Sequence, residues 1–170
     1  MSEEIVTLVD INDQVIGQAP RSKVRKQALI HRVTYILVFN EAGQLLLQKR
    51  TAVKDLYPDY YDAAAGGVLS AGETYEASAE RELKEELGIN DTPLRSHFDH
   101  YFESPDNRCW GRVFTCVHNG PFTLQASEVQ SAQFVDIESV LEGHFQPLTP
   151  DTDAVLRRWA AHRCGQDQTK

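Results

Sequence analysis

Residues 67–89, with the sequence GVLSAGETYEASAERELKEELGI, constrain the fold of this chain more than any other stretch. They predict a helix that begins at Glu73 or Thr74 and ends near Leu87, because Gly88 stands where a left-handed helix cap belongs. Apolar residues recur at every fourth position of this helix and form the face that packs on the rest of the protein: Ala79, Leu83 and Leu87.

Three carboxylates border that apolar face. At about 100° per residue, Glu82, Glu85 and Glu86 point to one side of the helix. Glu82 and Glu86 are like charges four residues apart, and such a pair disfavours a helix by roughly 0.2–0.5 kcal/mol. All three also lie in the C-terminal half, where the helix dipole disfavours anions. A bound cation offsets both costs, and oxygen ligands without His or Cys nearby suit Mg²⁺ or Mn²⁺. Taken alone, however, such a charge run is more often a solvated acidic face.

The segments outside this helix predict an α/β fold with a mixed central sheet covered by helices on both faces. Residues 5–16 alternate apolar and polar side chains around Asn12-Asp13, which predicts an N-terminal β-hairpin. Residues 44–50 are expected to pair back on residues 33–39 as a second strand, and residues 21–29 are ambiguous. The remaining expected strands are residues 62–65, 94–103, 108–117 and 133–136, with short helices at 137–142 and 150–164. At this length the whole chain, 1–170, is expected to be a single domain.

Charge and composition argue against several classes of function. The chain has 25 acidic and 17 basic residues, a net charge of −8, and a broadly acidic surface disfavours binding to a nucleic-acid polymer. No apolar run approaches the ~20 residues of a membrane helix. The acidic N-terminus lacks the pattern of a secretory signal. These features predict a cytoplasmic protein without a membrane partner. The three cysteines lack C-x-x-C spacing and are expected to be free thiols.

The residues around the three carboxylates resemble the Nudix box, G-x5-E-x7-R-E-U-x-E-E-x-G-U, in which U is apolar. Every fixed position is filled, by Gly67, Glu73, Arg81, Glu82, Leu83, Glu85, Glu86, Gly88 and Ile89. A random match has a probability on the order of 10⁻⁹ per starting position. The resemblance implies the Nudix fold, an α/β/α sandwich, and a Mg²⁺-dependent enzyme that uses water to cut a diphosphate linkage. It also implies a small, nucleotide-derived substrate.

The resemblance implies a role for each matched residue. Arg81 is expected to pair with Glu73 and fix the loop to the helix. Nudix enzymes differ in their general base, and Glu82 is the first choice here. The expected catalytic set is Glu73, Arg81, Glu82, Glu85 and Glu86. The expected metal ligands are Glu82, Glu85 and Glu86 with the carbonyl of Gly66. Glu128, in the polar loop before the last strand, is either a further metal ligand or an ordinary exposed glutamate.

A weaker similarity spans residues 9–112. Residues 31–32, residues 45–51 and Lys54 resemble isopentenyl-diphosphate isomerase, which shares the Nudix fold. This implies that Arg50 and Lys54 bind diphosphate with their basic side chains, although both are equally compatible with solvent-facing cations. The catalytic cysteine and metal-binding histidine of the isomerase would fall in residues 62–67, DAAAGG, which contain neither. An isomerase-like enzyme is therefore the alternative function, and a non-catalytic nucleotide-binding module is another.

Several residues keep two interpretations. His31 aligns with a metal-binding histidine of the isomerase, but a single histidine is a poor metal signature and favours a structural role. The aromatic side chains of Tyr101, Phe102 and Trp110 suit either stacking on a flat group or the core. Residues 106–107 are expected to form a turn without a further role. The family resemblance also allows a homodimer, which no residue pattern demands.

Overall fold

The computed structural model describes residues 3–167, with side chains as far as Arg163. Nine strands and four helices occur in this part of the chain. The strands are β1 (Ile5–Val9), β2 (Val15–Pro20), β3 (His31–Phe39), β4 (Leu45–Arg50), β5 (Tyr61–Ala63), β6 (Ala65–Val68), β7 (Arg95–Glu103), β8 (Arg108–Val117) and β9 (Val129–Val135). The helices are α1 (Arg21–Gln27), α2 (Tyr75–Leu87), α3 (Ile137–Leu141) and α4 (Pro150–Asp167). The predicted N-terminal hairpin is confirmed as β1 and β2.

Helix α2 has the boundaries that its capping residues predict. The Thr74 side chain accepts a hydrogen bond from the Ala77 amide at 3.1 Å, which satisfies a free N–H of the first turn. At the other end, Gly88 adopts φ 69° and its amide donates to the Lys84 carbonyl at 2.9 Å. Glycine takes this left-handed conformation without steric cost, so the chain turns sharply away after Leu87.

Strand β3 is the centre of the sheet, and its alternating side chains reach two separate cores. Tyr35, Leu37 and Phe39 face a core that includes side chains of α3 and α4. Ile36 and Val38 face the opposite core, which contains the buried face of α2. This is the period-two alternation of a strand whose two faces are both covered. The predicted α/β fold, a mixed sheet between helical layers, is therefore confirmed.

The predicted pairing of β4 on β3 is wrong for most of its length. The two strands pair only next to their connecting turn, at Phe39 and Leu45. Beyond this point β3 pairs with β8 in parallel and with β6 antiparallel, whereas β4 pairs with β9 and β5. The turn between β3 and β4 was predicted correctly. Beyond the turn, each strand pairs with other strands that lie further away in the sequence. A cleft opens between β3 and β4.

The ambiguous segment before β3 is helix α1. Its one buried side chain, Val24, packs with Val6, Ala19 and Val68 in a small third core. The helix ends at Ala28, which adopts φ 48°. This small core holds α1 over the β3 and β6 end of the cleft.

The cysteines and the helix lengths bear on two further features of the chain. Cys109 and Cys116 are buried free thiols, while the side chain of Cys164 lies outside the described residues. Among the helices described, none combines the length and apolar character needed to cross a membrane.

Candidate functional site

The cleft between β3 and β4 has a volume of about 260 Å³ and is lined mainly by polar side chains. Two groups of opposite charge face it. The carboxylate cluster, Glu82, Glu85 and Glu86, comes from α2. The arginine cluster, Arg21 and Arg25, comes from α1. The cleft therefore offers one surface for a cation and another for an anion.

Arg81 organises the loop in front of α2. Its guanidinium donates two hydrogen bonds to Glu73, Nε to Oε2 at 2.7 Å and Nη2 to Oε1 at 2.9 Å. Glu73 also accepts a hydrogen bond from the Ser70 amide at 2.9 Å. The third nitrogen, Nη1, contacts Glu82 at 2.9 Å and Glu85 at 3.2 Å. One arginine thus joins the loop, the helix and two of the three clustered carboxylates.

Glu82 and Glu86 are both withdrawn from water. Glu86 is 7% exposed, and its Oε2 accepts a hydrogen bond from the Gly66 amide at 3.3 Å. Burial raises the pKa of Glu82 to about 7. Burial, and after it the neighbouring Glu82 and Asp62, raise the pKa of Glu86 well above its ordinary value. Two buried carboxylates at this spacing disfavour each other's charge, so the pair is best satisfied by a cation.

The two glycines of β6 allow this close approach. A Cβ atom on Gly67 would lie 2.5 Å from Oε1 of Glu82, and one on Gly66 would overlap the Thr34 carbonyl of β3. Glycine is therefore required at position 66, where the backbone of the neighbouring strand leaves no room for a Cβ atom, and Gly67 leaves space for the Glu82 carboxylate. The structure places Gly66 directly beside Glu86, so its backbone belongs to the same site.

The arrangement fits a hard metal ion held by few protein ligands. The carboxylate oxygens of the cluster are donors that Mg²⁺ and Mn²⁺ prefer. Within residues 3–163, no three acidic, His or Cys side chains converge into a ready metal cage. Glu82 and Glu85 instead both contact the Arg81 guanidinium. Mg²⁺ usually keeps several waters and does not need a full protein cage.

Glu128 and Lys54 also line the cleft, and they pair with each other. The segment that carries Glu128 is tethered to the end of α2, because the Gln125 amide donates to the Glu86 carbonyl at 3.0 Å and the Glu128 amide donates to the Gln125 carbonyl at 2.9 Å. The structure thus brings Glu128, the candidate further metal ligand, to the cleft. It also gives that carboxylate a lysine partner, which the sequence did not predict.

Arg50 lines the cleft too, but its donors already have protein partners. Nε donates to the Tyr57 carbonyl at 3.2 Å, Nη2 donates to the Leu56 carbonyl at 2.9 Å, and Nη1 contacts Asp62 at 3.3 Å. These bonds hold the loop of residues 51–60, which we call the roof loop. Tyr57 and Asp59 in this loop have φ of 52° and 62°, conformations that bulky residues rarely adopt without support.

The floor of the cleft contains a second set of polar groups. The Tyr35 hydroxyl donates to Asp151 at 3.0 Å and contacts the Cys109 sulfur at 3.5 Å. Burial, and after it the nearby Asp62, raise the pKa of Asp151 to about 6. His31 is 2% exposed, and its Nδ1 pairs with the Leu29 carbonyl at 3.0 Å, which fits the structural role expected for it.

Of the residues expected in the catalytic, metal and diphosphate sets, every one except Glu73 lines the cleft, and the cleft adds others. Glu73 reaches it only through Arg81. Sequence patterns did not point to four cleft residues that lie far apart along the chain: Arg25, Tyr57, Asn107 and Asp151. Conversely, Tyr101, Phe102 and Trp110 are not among the described residues that line it. The rings of Tyr101 on β7 and Trp110 on β8 instead pack against each other, with their centroids 5.4 Å apart.

Comparisons with known proteins identify the family of this chain. A model of the NUDIX domain matches residues 29–159. The Nudix hydrolase PA4841 of Pseudomonas aeruginosa is 46% identical over 155 residues, covering 91% of this chain and 92% of that protein. The Nudix hydrolase YfcD of Escherichia coli is 42% identical over 158 residues, covering 93% and 87%.

Solved structures show the same fold. DR0079 from Deinococcus radiodurans superposes with a TM-score of 0.80 at 25% identity, covering 91% of this chain and 98% of that one. The NUDIX domain of NrtR from Shewanella oneidensis superposes with a TM-score of 0.61 at 17% identity, covering 78% and 87%. With the complete box and these relatives, the chain belongs to the Nudix hydrolase family, whose members hydrolyse phosphorus-containing anhydrides.

Proposed function

We propose that this enzyme hydrolyses a diphosphate linkage in a small, nucleotide-derived molecule, with Mg²⁺ held by the carboxylate cluster and the Gly66 carbonyl. One observation carries the proposal. Glu86 is buried at the cleft and the Glu82 side chain beside it is only 12% exposed, both against the glycines of β6, and burial raises the pKa of each. A site of this kind is costly to keep unless a cation uses it. Mn²⁺ suits the same oxygen ligands.

Each side chain has a task in this reaction. When bound, the metal polarises a phosphoryl oxygen and favours loss of a proton from the attacking water. Glu82 is our candidate to take up that proton, because its pKa of about 7 suits a base that works near neutral pH. Glu73 and Arg81 are positioning residues, since they fix the loop that joins β6 to α2. Lys54, with Glu128 as its partner, is a candidate contact for substrate phosphate.

A nucleotide-derived substrate is supported by family relationship and by charge. The NrtR domain of similar fold was crystallised with ADP-ribose. The arginine cluster gives the cleft a second polar surface beyond the carboxylate cluster. A substrate with a diphosphate and further polar groups matches such a cleft better than a purely apolar prenyl chain does.

The isomerase alternative has less support. Residues 62–67, where that family keeps its cysteine and histidine, supply Asp62 and small side chains here. The buried thiol of Cys109 lies within hydrogen-bond distance of the Tyr35 hydroxyl at the floor, and burial raises the pKa of this thiol to about 12. Such a thiol is a poor acid–base catalyst at neutral pH.

The test is a phosphate-release screen with Mg²⁺ over nucleoside di- and triphosphates, nucleotide sugars, dinucleotide cofactors and isopentenyl diphosphate. The blank is Glu86→Gln, and the matched control is Glu80→Gln, an exposed glutamate on the same helix. We expect wild type and Glu80→Gln to turn over at least one compound and Glu86→Gln to be at least a hundredfold slower. Equal rates in Glu86→Gln would refute the metal-site assignment. Isomerisation or binding without turnover would replace hydrolysis by an alternative function.

Glu128 enters the same assay as a separate variant. If it supplies a further metal ligand, Glu128→Gln weakens Mg²⁺ binding and slows turnover. Unchanged turnover and unchanged metal affinity would leave it only the role of a partner for Lys54.

A further inference from the structure

We propose that Arg25 and Asn107 form a second binding site in the cleft, which holds an anionic group of the substrate away from the carboxylate cluster. The proposal rests on the proposed function, because it assigns the second polar part of the same substrate. It names a substrate class: a diphosphate that also carries a phosphomonoester or a carboxylate. Neither residue belongs to the Nudix box.

Arg25 has a buried donor that the protein leaves unused. Its side chain is 22% exposed and lines the cleft, and its Nε atom has no hydrogen-bond partner. The Asp55 carboxylate lies 3.4 Å from Nε but is not aligned to accept from it. Nε therefore has an ion-pair partner but no hydrogen bond, and a buried charged group that lacks a hydrogen bond is costly, so this nitrogen can still donate to a ligand.

The surroundings of Arg25 add a second cost. Burial, and after it the charge of Arg21, hold the pKa of the Arg25 guanidinium below its ordinary value. Arg21 has its own partner in Glu4, at 3.2 Å, whereas Asp55 is more than half exposed and screens Arg25 weakly. His31 adds no charge near neutral pH, since burial lowers its pKa to about 4. An anion bound at Arg25 relieves the repulsion between the two arginines, as a cation does for the carboxylates.

Asn107 supplies the independent observation. It is 6% exposed and lines the same cleft, yet its Oδ1 atom has no hydrogen-bond partner. Its backbone is fixed in the turn between β7 and β8, where the Ser104 amide donates to its carbonyl at 2.8 Å. A buried amide oxygen in this position lacks only a hydrogen-bond donor, such as a hydroxyl or amino group of a ligand.

The fold brings these two side chains into one region. The turn that carries Asn107 is bonded to the end of α1, because Arg108 Nε donates to the Ala28 carbonyl at 2.8 Å. Arg25 stands in the last turn of the same helix. A charged fork and an amide can together recognise a phosphate or carboxylate with a hydroxyl or amino group beside it. This region would therefore select substrates by the anionic group that they carry in addition to the diphosphate, while the Nudix box acts on the diphosphate itself.

The test is a titration of the ¹⁵N-labelled chain with inorganic phosphate, without metal and with EDTA, followed by the Arg25 Nε–H and Asn107 side-chain amide signals. We expect both signals to shift together and to give one dissociation constant. Arg25→Gln should weaken phosphate binding at least tenfold, and Asn107→Asp should do the same by adding a negative charge to the proposed anion site. Lys23→Gln, the same charge change on the exposed face of α1, should bind phosphate like the wild type.

Acetate in a parallel titration separates the two anion sources: tighter binding of phosphate assigns a phosphomonoester, and tighter binding of acetate assigns a carboxylate. Wild-type signals that do not move with either anion would overturn the proposal, and so would wild-type affinity in Arg25→Gln. Because no metal or turnover is involved, hydrolysis by the carboxylate cluster can stand when this site fails. Glu86→Gln should bind phosphate at Arg25 unchanged, which makes the two failures distinguishable.

Discussion

Arg81 and Glu73 form a two-bond fork across eight residues of sequence, with Arg81 Nε donating to Oε2 at 2.7 Å and Nη2 to Oε1 at 2.9 Å. The contact with Arg81 lowers the pKa of Glu73 and raises that of Arg81, so both groups keep their charge. Neither residue belongs to the carboxylate cluster. The fork instead fixes the loop that leads from the glycines of β6 into α2, and it sets where those carboxylates stand.

Arg81→Lys should therefore impair both stability and turnover. Lysine keeps the charge but cannot form two parallel bonds. We expect the free energy of unfolding to fall by about 1.5–3 kcal/mol and kcat to fall at least tenfold. Glu73→Gln breaks the same fork from the other side. Urea denaturation and steady-state kinetics of both single variants and the double variant measure the coupling, and strictly additive effects would contradict a shared role.

Removing a carboxylate from the cluster should stabilise the metal-free protein at high pH. Burial raises the pKa of Glu82 from 4.5 to about 7 in the folded chain, so the unfolded chain releases this proton first. Stability is therefore lost as the pH rises from about 4.5 to about 7. Glu82→Gln should raise the free energy of unfolding at pH 8 by about 1–3 kcal/mol and leave it nearly unchanged at pH 4. A variant less stable than wild type at pH 8 with EDTA would contradict this account.

His31 should make stability depend on pH in the opposite sense. Burial lowers its pKa from 6.5 to about 4, so the unfolded chain takes up this proton first as the pH falls. The contribution is fully present above pH 6.5 and is lost on the way down to about pH 4, by roughly 3 kcal/mol. Urea denaturation at pH 7, 6, 5 and 4.5 checks this against His31→Gln. As the pH falls, the wild type should lose more stability than His31→Gln does. A difference in stability that stays constant with pH would show that His31 does not titrate in this window.

Arg50 should act on the substrate through the roof loop that it holds. Arg50→Ala removes the bonds to the Leu56 and Tyr57 carbonyls and the contact with Asp62. We expect limited proteolysis within residues 51–60 to become at least tenfold faster and KM to rise. Lys26→Ala, an exposed change on α1, is the control. A raised KM without faster cleavage of the roof loop would favour a direct contact between Arg50 and the diphosphate. Unchanged KM and kcat would exclude Arg50 from substrate binding altogether.

The sequence predicted the parts of the site that depend on local rules. Helix α2 follows from the cap at Thr74, the glycine at position 88 and the apolar stripe between them, all within one short segment. The cluster of Glu82, Glu85 and Glu86 follows from helix geometry alone. The predicted partnership of Arg81 and Glu73 likewise joins residues only eight apart in sequence.

Long-range pairing explains what the sequence did not predict. Strand β3 pairs along its length with β8 in parallel, with Tyr35 opposite Val113, and only at Phe39 with β4, the next strand in the sequence. That choice opens the cleft and brings Asn107 and Asp151 to it from distant parts of the chain. Each of these residues looks ordinary in its own segment, one in a turn and one near the start of a helix, so only the assembled fold shows its surroundings.

Mn²⁺ binding, followed by electron paramagnetic resonance, tests whether α2 holds a divalent metal through its carboxylate cluster, and it requires no knowledge of the substrate. The proteins are wild type, Glu86→Gln and the exposed control Glu80→Gln at pH 8. We predict that wild type and Glu80→Gln bind Mn²⁺ with the same affinity, that Mg²⁺ competes for the site, and that Glu86→Gln binds at least tenfold more weakly. Equal Mn²⁺ affinity in all three proteins would contradict the account, because the metal would then lie somewhere other than the carboxylate cluster.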